Sequence, residues 1–192
     1  RLLDVEAFRA RQRPIVQVLA TVNLVVVNSA FLEGRITRLG VPGDKILNVR
    51  QGVAGDEFES IDPIGSDDDA LKLLYLGQLS QHKGVDLLLD AVISLAGEHV
   101  PVHLTLHGPS TDAVLAARLE ELTHPAITVA DPLRRQELAY ALATHDALVV
   151  PSRWYDNSPN VILEAFSAGC PVVTANHGGM AEMVRHEVDG LL

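Results

Sequence analysis

From Leu71 onward, apolar runs of about five residues alternate with segments of helical period, and that alternation confines the chain to repeated βα units around a parallel sheet. Strands covered on both faces read as continuous Val, Leu and Ala runs rather than as polar alternation. The candidate strands are Leu71 to Leu76, Val102 to Leu106, Ile127 to Val129, Ala147 to Val150 and Pro171 to Thr174. Between them the periodicity predicts helices at Gly84 to Ala96, Asp112 to Leu122, Arg134 to Thr144, Pro159 to Ala168 and Met180 to Arg185. The expected fold class is therefore α/β, a Rossmann-like doubly wound parallel sheet. With 47% apolar but only 4% aromatic residues, its core is expected to be aliphatic.

The first fifty residues follow the same grammar less completely, with a helix near Val5 to Leu19, a strand Leu24 to Val27, a helix capped by Ser29 that stops at Gly40, and a short strand Ile46 to Val49. Residues 51–70, rich in Gly, Asp and Ser and without periodicity, read as a linker. The expected organisation is a tail of a preceding domain over 1–50, the linker over 51–70, and the Rossmann-like domain over 71–192.

Several functions are disfavoured. A net charge of −10, without a basic stripe, argues against a nucleic acid partner. The single cysteine, Cys170, excludes an intrachain disulfide and a cysteine-rich zinc site and is compatible with a reducing compartment. No run approaches the ~20 apolar residues of a transmembrane helix, and the chain starts at Arg1, so a soluble piece of a longer protein is expected. Asp67-Asp68-Asp69 mimics an acidic metal motif but precedes a strand in a polar segment, so it reads as a solvated turn.

In an open parallel sheet, ligands bind beyond the carboxyl ends of the strands. The first such loop, Gly77 to Gly84, carries Lys83 beside a helix N-terminus, where the helix dipole disfavours a cation unless an anion such as a diphosphate lies nearby. A surface lysine in a turn is the competing reading. Neither GxGxxG nor a P-loop is present. In the second loop, Gly108 permits close approach of a ligand to backbone and His107 is a candidate contact, although a packed or exposed histidine fits as well. Asp131-Pro132-Leu133 is a candidate wall for a nucleobase.

The fourth loop, Pro151 to Ala165, is the most informative. Ser158 as N-cap and Pro159 as first helical residue would put Asp156 in the loop and Glu164 in the second helical turn. Two carboxylates suited to sugar hydroxyls then converge near one helix start, whose free amides at Asn160 and Val161 face a phosphate. A loop cap for Asp156 and a local ion pair for Glu164 would explain the same residues. After the last strand, Gly178-Gly179 could bring amides close to a ligand, with His177 a surface residue.

Taken in order, Leu74 to Leu79 with His82-Lys83-Gly84-Val85-Asp86, Pro151-Ser152 with Asp156 to Glu164-Ala165, Ala168 to Val173, and Gly178-Gly179 with Glu182 and Asp189 to Leu192 resemble the retaining glycosyltransferases of family 4, which have the two-domain GT-B fold. The family's signature is a pair of glutamates separated by seven residues, and Asp156 and Glu164 occupy those positions. The resemblance implies a donor-binding C-terminal domain, truncated at its C-terminus, behind the tail of an N-terminal acceptor domain. It further implies that Glu164 binds ribose hydroxyls, Asp156 the donor sugar, and Lys83 the diphosphate leaving group, with Asp156 and Lys83 catalytic. Gln78 stands where the family often has arginine, and Pro159 lacks an N–H.

On this reading the enzyme transfers a hexose from a nucleotide sugar to a saccharide, lipid or other acceptor with retention at the anomeric carbon. It needs no metal or cofactor, and it resides in the cytoplasm, or at the cytosolic membrane face in the full-length protein. The chain alone is expected to bind donor without transferring sugar. The alternatives are a nucleotide-sugar-binding regulatory module and a GT-B-type phosphorylase. The latter would want a cofactor lysine, and no lysine follows Lys83.

Overall fold

A computed structural model describes residues 5–53, 58 and 69–192 of the chain. It divides into two compact units, residues 1–51 and 52–192. Most of the predicted linker, including Asp67 and Asp68, lies outside the described residues.

In the first unit, helix α1 (Val5–Thr21) is followed by strand β1 (Val25–Val27), helix α2 (Ala30–Arg38) and strand β2 (Ile46–Asn48), which pairs with β1 in parallel. Ser29 caps α2 as expected, its Oγ accepting the amide of Leu32 at 3.1 Å. Gly40, in the left-handed region at φ 96°, follows the helix where its predicted stop falls.

The second unit is one parallel sheet of strands β3 (Leu71–Leu76), β4 (Val102–His107), β5 (Ile127–Ala130), β6 (Ala147–Val150), β7 (Val172–Thr174) and β8 (Gly190–Leu191). Their spatial order is β5-β4-β3-β6-β7-β8. The chain runs outward from β3 to one edge, returns, and runs outward from β6 to the other, as in a Rossmann fold. The switch point lies between β3 and β6, which pair through Leu73 with Ala147 and Leu74 with Leu148.

Residues alternate across this sheet, so each central strand feeds two cores. Leu73, Tyr75, Ala147 and Val149 pack with helices α3 (Val85–Gly97) and α4 (Ala113–Glu121) on one face. Leu74, Leu148 and Val150 pack with helices α5 (Arg135–Ala143) and α6 (Asn160–Ser167) on the other. The exposed carboxyl edge between those layers is where the sheet presents its loops.

Three local expectations are corrected. The sheet has six strands rather than five, because β8 is a two-residue strand held by pairing with β7. The helix expected at Met180 to Arg185 is one 3-10 turn, Met180–Glu182. At α6, Pro159 is the N-cap and Asn160 the first helical residue, one position later than expected from Ser158. That shift leaves Glu164 in the second turn.

Candidate functional site

Lys83 is the last residue of a 3-10 turn, Gln81–Lys83, in the loop between β3 and α3. Gly84 follows at φ 73°, and a Cβ there would lie 2.0 Å from the carbonyl oxygen of Pro151, in the loop after β6. Only glycine allows the two loops to touch. The same loops are joined by the amides of Arg153 and Trp154, which donate to the His82 carbonyl at 3.0 and 3.2 Å. On the far side, Asp112 caps α4 and also accepts the Gln81 amide at 3.2 Å. Donation from the amides of Leu115, Gln81 and Val114 holds its carboxyl below the usual carboxylate range.

This mounting aims Lys83 across the switch point. Its Nζ lies 2.8 Å from both carboxylate oxygens of Asp156. The pair is partly buried, with 27% of the lysine and 16% of the aspartate side chain exposed. Gly178 and Gly179, after β7, close the third side. The Gly179 amide donates to the Asp156 carbonyl at 2.9 Å, and a Cβ on Gly178 would sit 2.8 Å from that same oxygen. The pair therefore stands in a notch of three welded loops. Beneath it, the Tyr75 phenol donates to the Gln78 carbonyl at 2.7 Å, while burial, and secondarily the charge of Asp156, raise its pKa and keep it a donor.

A second group of predicted residues surrounds a cavity of about 300 Å³ lined by Leu76, Gly77, His107, Gly108, Pro132, Leu133, Val161 and Glu164 among others. It opens at the carboxyl ends of β3, β4 and β5. Gly108, at φ 153°, lies where a Cβ would be 1.7 Å from the Gly77 carbonyl oxygen, so these loops are also welded. His107 ends β4 and shares a 2.7 Å hydrogen bond between Nδ1 and the Asp131 carbonyl, where the ring nitrogen must donate.

Glu164 is mostly buried, with 12% of its side chain exposed, and is ion-paired with Arg135 at the start of α5. That partner is 29 positions away, so the pair is tertiary rather than local. Asn160 and Val161 supply the first two helical amides of α6, which have no partner within the helix.

Thus the structure gathers Lys83, Asp156, Gly178 and Gly179 in one notch, and His107, Gly108, Val161 and Glu164 around one cavity. The loop from Gly77 to Lys83 and the segment from Asp156 to Val161 contribute to both. Gln78 is exposed between them and contributes its carbonyl to the Tyr75 bond. Sequence reasoning missed Arg135. The available signal was a pair of arginines, Arg134 and Arg135, at a helix start, where the helix dipole favours acidic residues. Among the described residues no group of three or more His, Cys, Asp or Glu side chains could hold a metal ion, and no helix is long and apolar enough to cross a membrane.

A six-stranded Rossmann-type sheet with charged groups collected over its switch point is the architecture of one half of a GT-B glycosyltransferase. The chain belongs to the group 1 glycosyl transferases, whose family model matches residues 70–192. It is 31% identical over 204 residues to the D-inositol 3-phosphate glycosyltransferase of Geodermatophilus obscurus, an alignment covering 96% of this chain and 45% of the relative.

Among solved structures, it is similar to Anabaena HepE in complex with UDP and glucose, with a TM-score of 0.74 and 22% identity over 100% of this chain and 55% of that one. The sucrose-phosphate synthase of Thermosynechococcus elongatus gives 0.80 and 24%, over 96% and 48%. The chain spans about half the length of the curated relatives it matches.

Proposed function

We propose that the chain is the donor-binding portion of a retaining, family 4 type hexosyltransferase that takes its sugar from a nucleoside diphosphate sugar. The observation that carries this reading is the Lys83–Asp156 pair at the switch point, beside a cavity that Glu164 and the first turn of α6 help to line. The cavity's glycine-rich rim suits the close approach of a nucleoside. Glu164 can accept from the two hydroxyls of a ribose because a carboxylate offers about four lone-pair sites and Arg135 leaves some of them open. The unpaired amides of α6 favour a diphosphate.

In the transfer step the bond between the anomeric carbon and the diphosphate oxygen breaks with its electron pair leaving on the diphosphate, while the acceptor's hydroxyl oxygen bonds to that carbon and its proton passes to the departing diphosphate. An ammonium group opposing that charge lowers the barrier. Lysine has three donors, so Lys83 can keep Asp156 and still reach a phosphate oxygen. Asp156, held in the notch against Gly178 and Gly179, would accept hydroxyls of the donor sugar. No metal is invoked, because Lys83 and the helix amides supply the positive potential. Residues 1–50 would close an acceptor-binding domain and 51–70 would join it to this one. A cytoplasmic setting goes with such a substrate and with the lone thiol of Cys170, which burial pushes up to about 11.

Thermal denaturation in the presence of UDP, GDP, ADP and their glucose conjugates tests the reading, since a ligand that binds only the folded chain raises its melting temperature. One base series should raise it, and Lys83→Ala and Glu164→Ala should each abolish the rise. Variants that respond like the parent would remove the site assignment.

A further inference from the structure

Beyond the residues a donor would touch, Arg135 is placed to control one of them. It occupies the first position of α5 and forms an ion pair with Glu164, the cavity's carboxylate. Its guanidinium carbon also lies 5.9 Å from the ring centroid of Phe58, within the range of a cation–π contact. Phe58 is 4% exposed and joins the core of α5, α6, β6 and β7. The guanidinium is thus held between an aromatic face and a carboxylate, although half of the side chain faces solvent.

Nothing in the local helix asks for a cation there. A first-turn arginine opposes the helix dipole. Its neighbour Arg134 is accounted for by Glu137, whose carboxylate accepts from the Arg134 amide at 2.9 Å and from its Nε at 2.8 Å. Arg135 reaches out of its own helix to Glu164 instead. Glu164 lines the cavity together with Leu76, His107, Leu133, Leu138 and Val161. One guanidinium N–H, on Nη1, donates to Oε1 of Glu164, a charge-assisted bond that offsets the carboxylate's charge and restricts its rotation.

We infer that Arg135, braced by Phe58, is a positioning residue that holds Glu164 in the orientation that reads the ribose diol of the donor. The inference rests on the assignment of Glu164 to the ribose. It makes Arg135 a determinant of selectivity for ribose over deoxyribose, through Glu164 rather than by contact with the ligand. It also ties Phe58 to the nucleoside end of the site.

Calorimetric titration of the 192-residue chain with UDP and with 2′-deoxy-UDP tests it. The parent should prefer UDP, and Glu164→Gln should erase most of that preference. Arg135→Ala should weaken UDP binding roughly two- to tenfold, the scale of one net hydrogen bond acting through Glu164, and weaken 2′-deoxy-UDP much less. Arg135→Lys should recover part of the charge effect but little of the selectivity. Phe58→Leu, which preserves apolar burial, should reduce selectivity about twofold to threefold through loss of the cation–π brace. Circular dichroism of each variant guards against unfolding.

If Glu164→Gln loses the preference while Arg135→Ala keeps it, the positioning role is wrong and the ribose assignment stands. If Glu164→Gln leaves both ligands bound like the parent, the ribose assignment is wrong and the positioning role goes with it. Tighter UDP binding by Arg135→Ala would show that the guanidinium competes with the ligand, which also overturns the inference.

Discussion

Two of the cation–carboxylate pairs at the carboxyl edge of the sheet, Lys83–Asp156 and Arg135–Glu164, are held by different means. Lys83 and Asp156 both come from loops, and those loops are locked by backbone. Gly84 is pressed against Pro151, Gly178 against Asp156, and main-chain hydrogen bonds join all three segments. Arg135 and Glu164 come from early turns of two helices. Their pairing is made through side chains, with Phe58 behind the guanidinium. The first arrangement preserves geometry if a side chain is shortened, whereas in the second each partner's orientation depends on the other. Backbone substitutions should therefore break the first pair, and truncations should disorder the second.

The largest effect is expected from Gly84→Ala. The added Cβ would meet the Pro151 carbonyl at 2.0 Å on a backbone already at φ 73°, so relief requires the β6 loop to move. A loss of ~3 kcal/mol or more in urea denaturation is the expected outcome, in the range of strained, overpacked sites. Gly97→Ala, in the last turn of α3 with nothing within 4 Å of its Cβ, is the control and should be neutral or stabilising. Equal losses from both would mean that the contact at Gly84 can yield, and that the lysine loop is not locked.

Next comes Lys83→Ala, which on the proposed reading removes the cation opposing the diphosphate. UDP affinity should fall roughly thirtyfold or more, the cost of truncating a partly buried charge partner. That exceeds the loss expected from Arg135→Ala, because Lys83 would touch the ligand and Arg135 would not. Calorimetry on the two variants side by side decides it, and equal losses would erase the distinction between contact and positioning.

Asp156→Asn should act more selectively. It keeps the side chain's size within the welded notch but removes the charge that holds Lys83. UDP affinity should stay within about threefold of the parent, while affinity for UDP-glucose should fall about tenfold, as for loss of one charge-assisted hydrogen bond to a hydroxyl. A uniform drop for both ligands would place Asp156 at the phosphates rather than the sugar.

The loops of the first pair were legible from sequence as loops because each follows an apolar strand, and the pair Gly178-Gly179 announces a close backbone approach. The pressing of Gly84 on Pro151 was not legible, since its partner lies far along the chain. The strands were legible because burial on both faces leaves a continuous apolar run, as in Leu73-Leu74-Tyr75 or Ala147 to Val150. Strand β8 was not, since two residues carry no periodicity and its existence depends on Val172 and Val173 lying alongside. The segment from Met180 to Arg185 has helical composition but settles for one 3-10 turn before the Arg185–Asp189 contact turns the chain toward β8. The Arg135–Glu164 pair was hidden because its partners are 29 positions apart and meet only when α5 and α6 share a face of the sheet. Only the misplaced charge at the helix start hinted at it.

The smallest effect separates reach from charge at Asp156. The resemblance to family 4 implies glutamate at this position, and the chain has a side chain one methylene shorter. Despite that, both oxygens of Asp156 lie 2.8 Å from the Lys83 ammonium, because Gly84 brings the lysine loop against Pro151. The backbone closes the distance that the side chain lacks. Asp156→Glu should therefore find the notch already narrow. The longer side chain can bend back to retain Lys83 or extend toward the donor sugar, but the welded loops leave it no room to do both. UDP affinity should change by less than about twofold, because the carboxylate charge beside Lys83 is kept. UDP-glucose affinity should move by a similar factor, upward if the extended rotamer wins. A change of tenfold or more in either would mean that the aspartate's length is matched to its notch, and that the substitution from the family pattern is a specificity device rather than a tolerated variation.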